Sequence, residues 1–197
     1  MRDLSILTFV TLDGVMQGPV QPDEDPSGGF ERSGWCAPFM EEVMGHVNQE
    51  AMSEPFDLVF GRKTYDMFAG HWPNVDTSDP HAEKLNQAKK YVVTSRTDGL
   101  AWRNSEALLG SAAEEIKRLK NQDGPLLQIH GSWQLIQTLL AHDLVDHFRL
   151  WTFPVVVGPG KRLFGDKAMP NTLELTKSQA MSNGVVMTMY RRMQTSK

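Results

Sequence analysis

The chain has 197 residues, 40% hydrophobic and 22% charged, with a formal net charge of -4 from 20 basic and 24 acidic side chains. This is the composition of one soluble globular domain able to bury a substantial core, and its weak acidity argues against a general attraction to nucleic acid or an anionic membrane. Cys36 is the one cysteine, which excludes an intrachain disulfide or a cysteine-rich metal site and suits a reducing cytoplasm.

The opening segment MRDLSILTFVTLDG is stopped by Asp13 and Gly14, too early for a secretory signal. Nowhere do the roughly 18 apolar residues of a membrane span run together. A cytoplasmic location is expected. Leu4 to Leu12 reads as a first strand, apolar enough to be buried on both faces. Met16 to Gly34, dense in Gly, Pro and acidic residues, has the composition of a lid or a disordered loop. From Pro38 to Ala51, the spacing of Phe39, Val43, Val47 and Ala51 predicts one helical face.

Asp57 to Phe60 follows as a short buried strand, ended by Gly61-Arg62-Lys63-Thr64 and a helix through Phe68. Tyr91 to Thr94 is a strand closed by Ser95-Arg96 and a turn at Asp98-Gly99. Ser111 and Glu114 have capping-box spacing ahead of Ile116 and Leu119. Leu126 to Ile129 is a strand broken by His130-Gly131-Ser132, with Ser132 placed to cap a helix from Trp133 to about His142. Phe148 to Val157 is strongly β-forming, and Pro154 suggests an edge or a bend. Leu173 to Lys177 and Val185 to Arg191 form a terminal antiparallel pair. No repeat, low-complexity tract or interdomain linker interrupts residues 1–197.

The alternation of strands and helices indicates a single three-layer α/β domain, mainly parallel, with antiparallel C-terminal strands. In such sheets ligands lie beyond the carboxyl ends of the strands, where Gly61, Gly99 and Gly131 sit in turns. A helix start offers unpaired N–H groups and partial positive charge to an anion. At Gly61-Arg62-Lys63-Thr64 a bare backbone, a hydroxyl and two cations add to that. There is neither a Walker A loop nor a GxGxxG fingerprint. Taken singly, each turn reads more readily as an ordinary one, with solvated cations in the first two and a plain helix cap in the third. Their recurrence favours a long ligand with more than one phosphate.

Together the segments TLDGVMQGP, LVFGRKTYDMF, HWP, KKYVVTSR, QIHGSWQLIQTLL, HDLVDHFRLWTFPVVVGPGKRLF and GVVMTMYRR resemble the dihydrofolate reductase-like superfamily, over nearly the whole chain. They are most similar to its branch related to the reductase domain of bifunctional riboflavin-biosynthesis enzymes. The resemblance implies the αβα dihydrofolate reductase-like fold, an NADPH-dependent reduction and a homodimer. It implies that Gly61, Arg62, Lys63 and Thr64 hold the cofactor phosphates and that Ser95 and Arg96 lie by the adenosine 2′-phosphate. Gly131, Ser132, Trp133 and Gln134, with His130 before them, pass the pyrophosphate and nicotinamide end. Leu12, Asp13 and Gly14 correspond to the strand end facing nicotinamide and substrate. Folate reductases carry a Gly-Gly pair with a cis peptide in the third turn, whose first place His130 is here expected to take. They also carry a helical carboxylate that Val43 to Gln49 lacks, so folate is not the expected substrate.

Hydride transfer requires a proton source and exclusion of water. Asp13 is the candidate proton donor, a plain Asp-Gly turn being the alternative. Trp35 and Phe39 are candidates for an aromatic wall of the substrate pocket, and His71 and Trp72 for its lining; core packing is the other reading. Lys161 and Arg162 form a second candidate rim, or a solvated turn. The histidines have no partners at metal-ligand spacing, so no metal is expected. The expected ligand is a small heterocyclic molecule, with a pyrimidine ribosyl-phosphate of riboflavin synthesis as the named example. A non-catalytic nucleotide- or flavin-binding protein of the same fold is the competing reading.

Overall fold

The computed structural model describes residues 1–76 and 78–193. At its centre is β1 (Leu4–Thr11), in which every residue except Phe9 is buried. A strand without a polar face belongs inside a sheet covered on both sides. The other strands are β2 (Phe56–Gly61), β3 (Lys90–Val93), β4 (Ser105–Leu108), β5 (Leu126–Ile129), β6 (His147–Phe153), β7 (Leu173–Ala180) and β8 (Val186–Arg192). They form one eight-stranded sheet in the order β4-β3-β2-β5-β1-β6-β8-β7. From β4 to β6 all neighbours are parallel, whereas β8 is antiparallel to both β6 and β7.

Five α-helices cover the faces among the described residues: α1 (Met40–Ala51), α2 (Arg62–His71), α3 (Pro80–Gln87), α4 (Ala112–Lys120) and α5 (Trp133–Ala141). Val43, Val47 and Ala51 of α1, Tyr65 of α2 and Leu85 of α3 share one core with Leu7, Leu58, Phe60, Trp151 and Phe153. Ile116 and Leu119 of α4 and Ile136 and Leu139 of α5 share the opposite core with Ile6, Val59, Ile129 and Phe148. Burying each such side chain contributes about 1.5–3 kcal/mol. The chain leaves β1 toward β2 through α1 and leaves β5 toward β6 through α5, in opposite directions across the sheet. Right-handed crossovers therefore place the two helices on opposite faces and open a crevice at the carboxyl ends of β1 and β5.

Several sequence expectations are corrected. The helix α3 and the strand β4 were not anticipated. In α3, Asp79 caps the start by accepting from His81 N and Ala82 N at 2.8 and 3.1 Å, with Pro80 at the first position. Ser111 makes no side-chain cap, so the capping box does not form; its carbonyl instead accepts from Glu115 N at 2.9 Å. Ser132 takes the N-cap position of α5 as expected, but it too makes no side-chain cap bond. The strand β6 ends at Phe153 and lies inside the sheet between β1 and β8, so Pro154 marks a bend after an interior strand rather than an edge. Strands β7 and β8 run longer than or beyond their expected ends, to Ala180 and Arg192.

Candidate functional site

The three glycine turns follow β2, β3 and β5, which are neighbours in the sheet. The first and third touch. A Cβ at Gly61 would stand within 3.0 Å of the Ser132 hydroxyl, and one at Gly131 would meet Thr64 Oγ1 at 3.3 Å. Gly131 also has φ +147°, a conformation that L side chains rarely adopt. The first and second turns are joined by Arg62, whose Nη1 donates to the Asp98 carbonyl at 2.9 Å and whose Nε donates to Asp66 at 2.8 Å. A Cβ at Gly99 would lie 2.6 Å from Arg62 Nη2, so the guanidinium rests directly on that glycine. The turns thus form one continuous rim, with α2 and α5 both opening from it. Ser95 and Arg96 are exposed on this rim; Arg96 Nε lies 3.7 Å from Asp98, at the surface where such a pair is weak.

The third turn has a cis peptide between Gly131 and Ser132, one bond after His130-Gly131, the pair whose first place the sequence gives to histidine. Trp133 is half-buried, and its indole N–H donates to Arg162 O at 2.9 Å; Gln134 is exposed.

Leu12 is 69% exposed and its backbone N–H donates to Val155 O at 2.8 Å, which ties the end of β1 to the segment after β6. Asp13 strengthens that tie: it accepts from the Thr11 hydroxyl at 2.6 Å and from the backbone N–H groups of Gly158 and Val157 at 2.9 and 3.3 Å. Desolvation pushes its carboxyl up, but the Thr11, Gly158 and Val157 hydrogen bonds outweigh that and hold it below the usual carboxylate range. A carboxylate so held is a poor acid near neutrality. Gly14 turns the chain at φ +83°, and a cavity of about 260 Å³ opens beside Asp13, Gly14 and Arg162.

The segment 16–34 is held from within by Gln17. Gln17, 4% exposed, donates to the carbonyls of Asp25 and Ser27 and accepts from Lys161 N. Trp35, expected in an aromatic wall, is 8% exposed and holds the loop from beneath, its indole N–H donating to Gln17 O at 2.8 Å. At the top, Asp25 pairs with both Lys63 and Lys161, at 3.2 and 2.6 Å. Sequence reasoning missed Asp25, one of several acids in the loop, because its partners lie 38 and 136 residues away.

On the α1 side of the sheet the half-buried aromatics Phe9, Phe39, Phe68 and Trp72 gather around the strand ends. Phe39 meets Phe153 edge-on at 5.6 Å, Trp72 stacks on His81 at 6.4 Å, and His71 is exposed against Trp72. His130 joins this side, edge-on to Phe68 at 5.9 Å. Gln128 Nε2 donates to the Ala51 carbonyl, so Gln128 Oε1 faces His130 Nε2 at 2.7 Å and that nitrogen carries the proton. Desolvation first, then His81 and Arg149, pushes the imidazole down to about 3, so it is neutral at physiological pH. No group of three or more His, Cys, Asp or Glu side chains able to hold a metal is found among the described residues. Nor is any of their helices long and apolar enough to cross a membrane.

Comparison with known proteins agrees with this architecture. Residues 3–187 match the model of the RibD C-terminal domain. The Bacillus subtilis (strain 168) protein YyaP, itself uncharacterized, is 31% identical over 183 residues, covering 92% of this chain and 90% of YyaP. A second uncharacterized protein of that organism, YwjB, is 25% identical over 128 residues, 65% of this chain and 69% of YwjB. In fold, the chain matches a crystal structure from Shewanella sp. PV-4, of a protein assigned provisionally to riboflavin biosynthesis. The TM-score is 0.64 at 19% identity, covering 98% of this chain and 100% of that one.

Proposed function

The chain belongs to the RibD C-terminal domain family, and we propose that it is an NADPH-dependent reductase acting on a small heterocyclic substrate. The observation that carries this reading is the joining of three glycine turns, at the ends of three adjacent parallel strands, into one rim. The rim fits a dinucleotide. Gly61 and Gly131 leave bare backbone where a Cβ would crowd Ser132 and Thr64, and α2 and α5 offer unpaired N–H groups to phosphate oxygens. Arg62, Lys63 and Thr64 are assigned to the pyrophosphate from one side, Ser132, Trp133 and Gln134 from the other. Ser95 and Arg96 are assigned to the 2′-phosphate, the group that separates NADPH from NADH.

When bound, NADPH would supply a hydride to the substrate. The protein's own part is placement. Leu12, Asp13 and Gly14 fix the end of β1, with Asp13 as a positioning residue because its carboxylate stays ionised. The proton that completes the reduction is then drawn from solvent at the crevice mouth. Phe39, Phe68, Trp72 and neutral His130 offer a ring-shaped, uncharged surface on the substrate side. Family membership supports a pyrimidine ribosyl-phosphate as the first substrate to try.

The experiment is oxidation of NADPH by the purified protein against a panel of pyrimidines, pterins and quinones. Turnover with at least one of them, and much slower turnover with NADH, is the expected result. Tight NADPH binding with no turnover across the panel would establish instead a non-catalytic nucleotide-binding protein.

A further inference from the structure

Asp25 spans the crevice. Its Oδ1 lies 3.2 Å from Lys63 Nζ, just after β2, and its Oδ2 lies 2.6 Å from Lys161 Nζ, beyond the end of β6. In the sheet, β2 and β6 flank β5 and β1, so a single carboxylate ties the two banks of the crevice together. Ser27 completes the cluster: its hydroxyl donates to Asp25 Oδ1 at 2.7 Å and accepts from Lys161 Nζ at 2.7 Å. Among the described residues Lys63 pairs with no other carboxylate, and Lys161 with none but Asp25.

We propose that Lys63 and Lys161 form an anion seat for a phosphoryl group of the nucleotide ligand, and that Asp25 is a resident plug displaced when that group enters. The inference rests on the dinucleotide reading of the rim. Two oxygens of a phosphoryl group are spaced much as those of a carboxylate, so the same pair of ammonium groups accepts either. Lys63 is 72% exposed, and an ion pair so open to water is worth little and exchanges readily. The plug is also built to move. Gly28 and Gly29 follow Ser27 at φ 72° and 74°, with open space around both. Gln17, from a buried position, holds the backbone carbonyls of Asp25 and Ser27, so displacement is a swing of the Asp25 side chain off its two lysines. Desolvation opposes the charge on Asp25, but Lys161, Ser27 and Lys63 lower its carboxyl to about 2, so the plug is ionised at physiological pH.

Calorimetric titration with inorganic pyrophosphate and, separately, with NADPH tests the exchange in wild type and in Asp25→Asn. With its competitor removed, Asp25→Asn is expected to bind both about tenfold more tightly, the scale of one charge-assisted hydrogen bond. Adding Lys161→Met is expected to cancel that gain. Equal or weaker pyrophosphate binding by Asp25→Asn overturns the plug. A gain for pyrophosphate with no NADPH binding keeps the plug and removes the dinucleotide reading. NADPH binding without any gain removes the plug and keeps that reading.

Discussion

Gly61 and Ser132, 71 positions apart in sequence, meet so closely that no side chain fits between them. The backbone of Gly61 is ordinary, at φ -78°, so glycine is required there for space alone. In Gly61→Ala the Ser132 hydroxyl must rotate away and Ser132 Cβ, 3.2 Å from the new methyl, must give slightly, whereas Leu135 at 3.8 Å is in ordinary contact. The stability loss is expected to be modest, about 1 kcal/mol, while NADPH binding falls about tenfold because the rim is disturbed where the first and third turns join. Adding Ser132→Gly to Gly61→Ala should restore the thermal midpoint. A thermal and binding double-mutant cycle checks this coupling.

Arg62, proposed above as a phosphate ligand, also braces the rim. Its bonds to Asp66 and to the Asp98 carbonyl hold the second turn against the first, so Arg62→Ala should weaken NADPH binding about tenfold and raise amide exchange over residues 95–100. Arg62→Lys should not rescue it, because one ammonium lacks the planar fork that reaches two partners. NADPH affinity unchanged in Arg62→Ala would remove its role.

Arg96, proposed to meet the 2′-phosphate, sits at the far end of the rim and is tied only loosely to Asp98. Arg96→Ala should therefore leave the fold and NADH binding unchanged while cutting the preference for NADPH about tenfold. Competition titrations with the two nucleotides measure that ratio.

Lys90 gives a pH signature remote from the site. It is fully buried, donates to the carbonyls of Asn86 and Arg103 at 2.8 and 3.2 Å, and lies 4.3 Å from the Trp102 ring. Desolvation, helped by Arg103, lowers its amine from 10.5 to about 7. Between these values the unfolded chain holds a proton that the folded chain has shed, so stability rises as pH rises from about 7 toward 10.5. Both hydrogen bonds survive, since a neutral amine keeps two N–H donors. Thermal midpoints of Lys90→Met should lack that rise.

Much of the scaffold was legible because its signals are local. The apolar run of β1 announced a central strand, and glycines at the ends of β2 and β5 marked where backbones approach. The strand β4 gave no such signal: Ser105–Leu108 pairs only with β3, at the edge of the sheet, and of its residues only Leu108 is buried. The Asp79-Pro80 start of α3 was readable, but the acid there is one of several nearby. What joins the turns was not legible. The Arg62–Asp98 bond spans 36 residues and the Asp25–Lys161 pair spans 136, and no spacing rule reaches so far. Trp35 shows the converse limit: its composition suggested a pocket wall, but the buried carbonyl of Gln17 claims its indole N–H.

The central claim, a rim built for NADPH, is tested most directly by calorimetric titration of the protein with NADPH and with NADH under identical salt. Saturable NADPH binding, at least tenfold tighter than NADH and lost in Gly131→Ala, is the expected result. No binding of either nucleotide, or equal affinity for both, would contradict it.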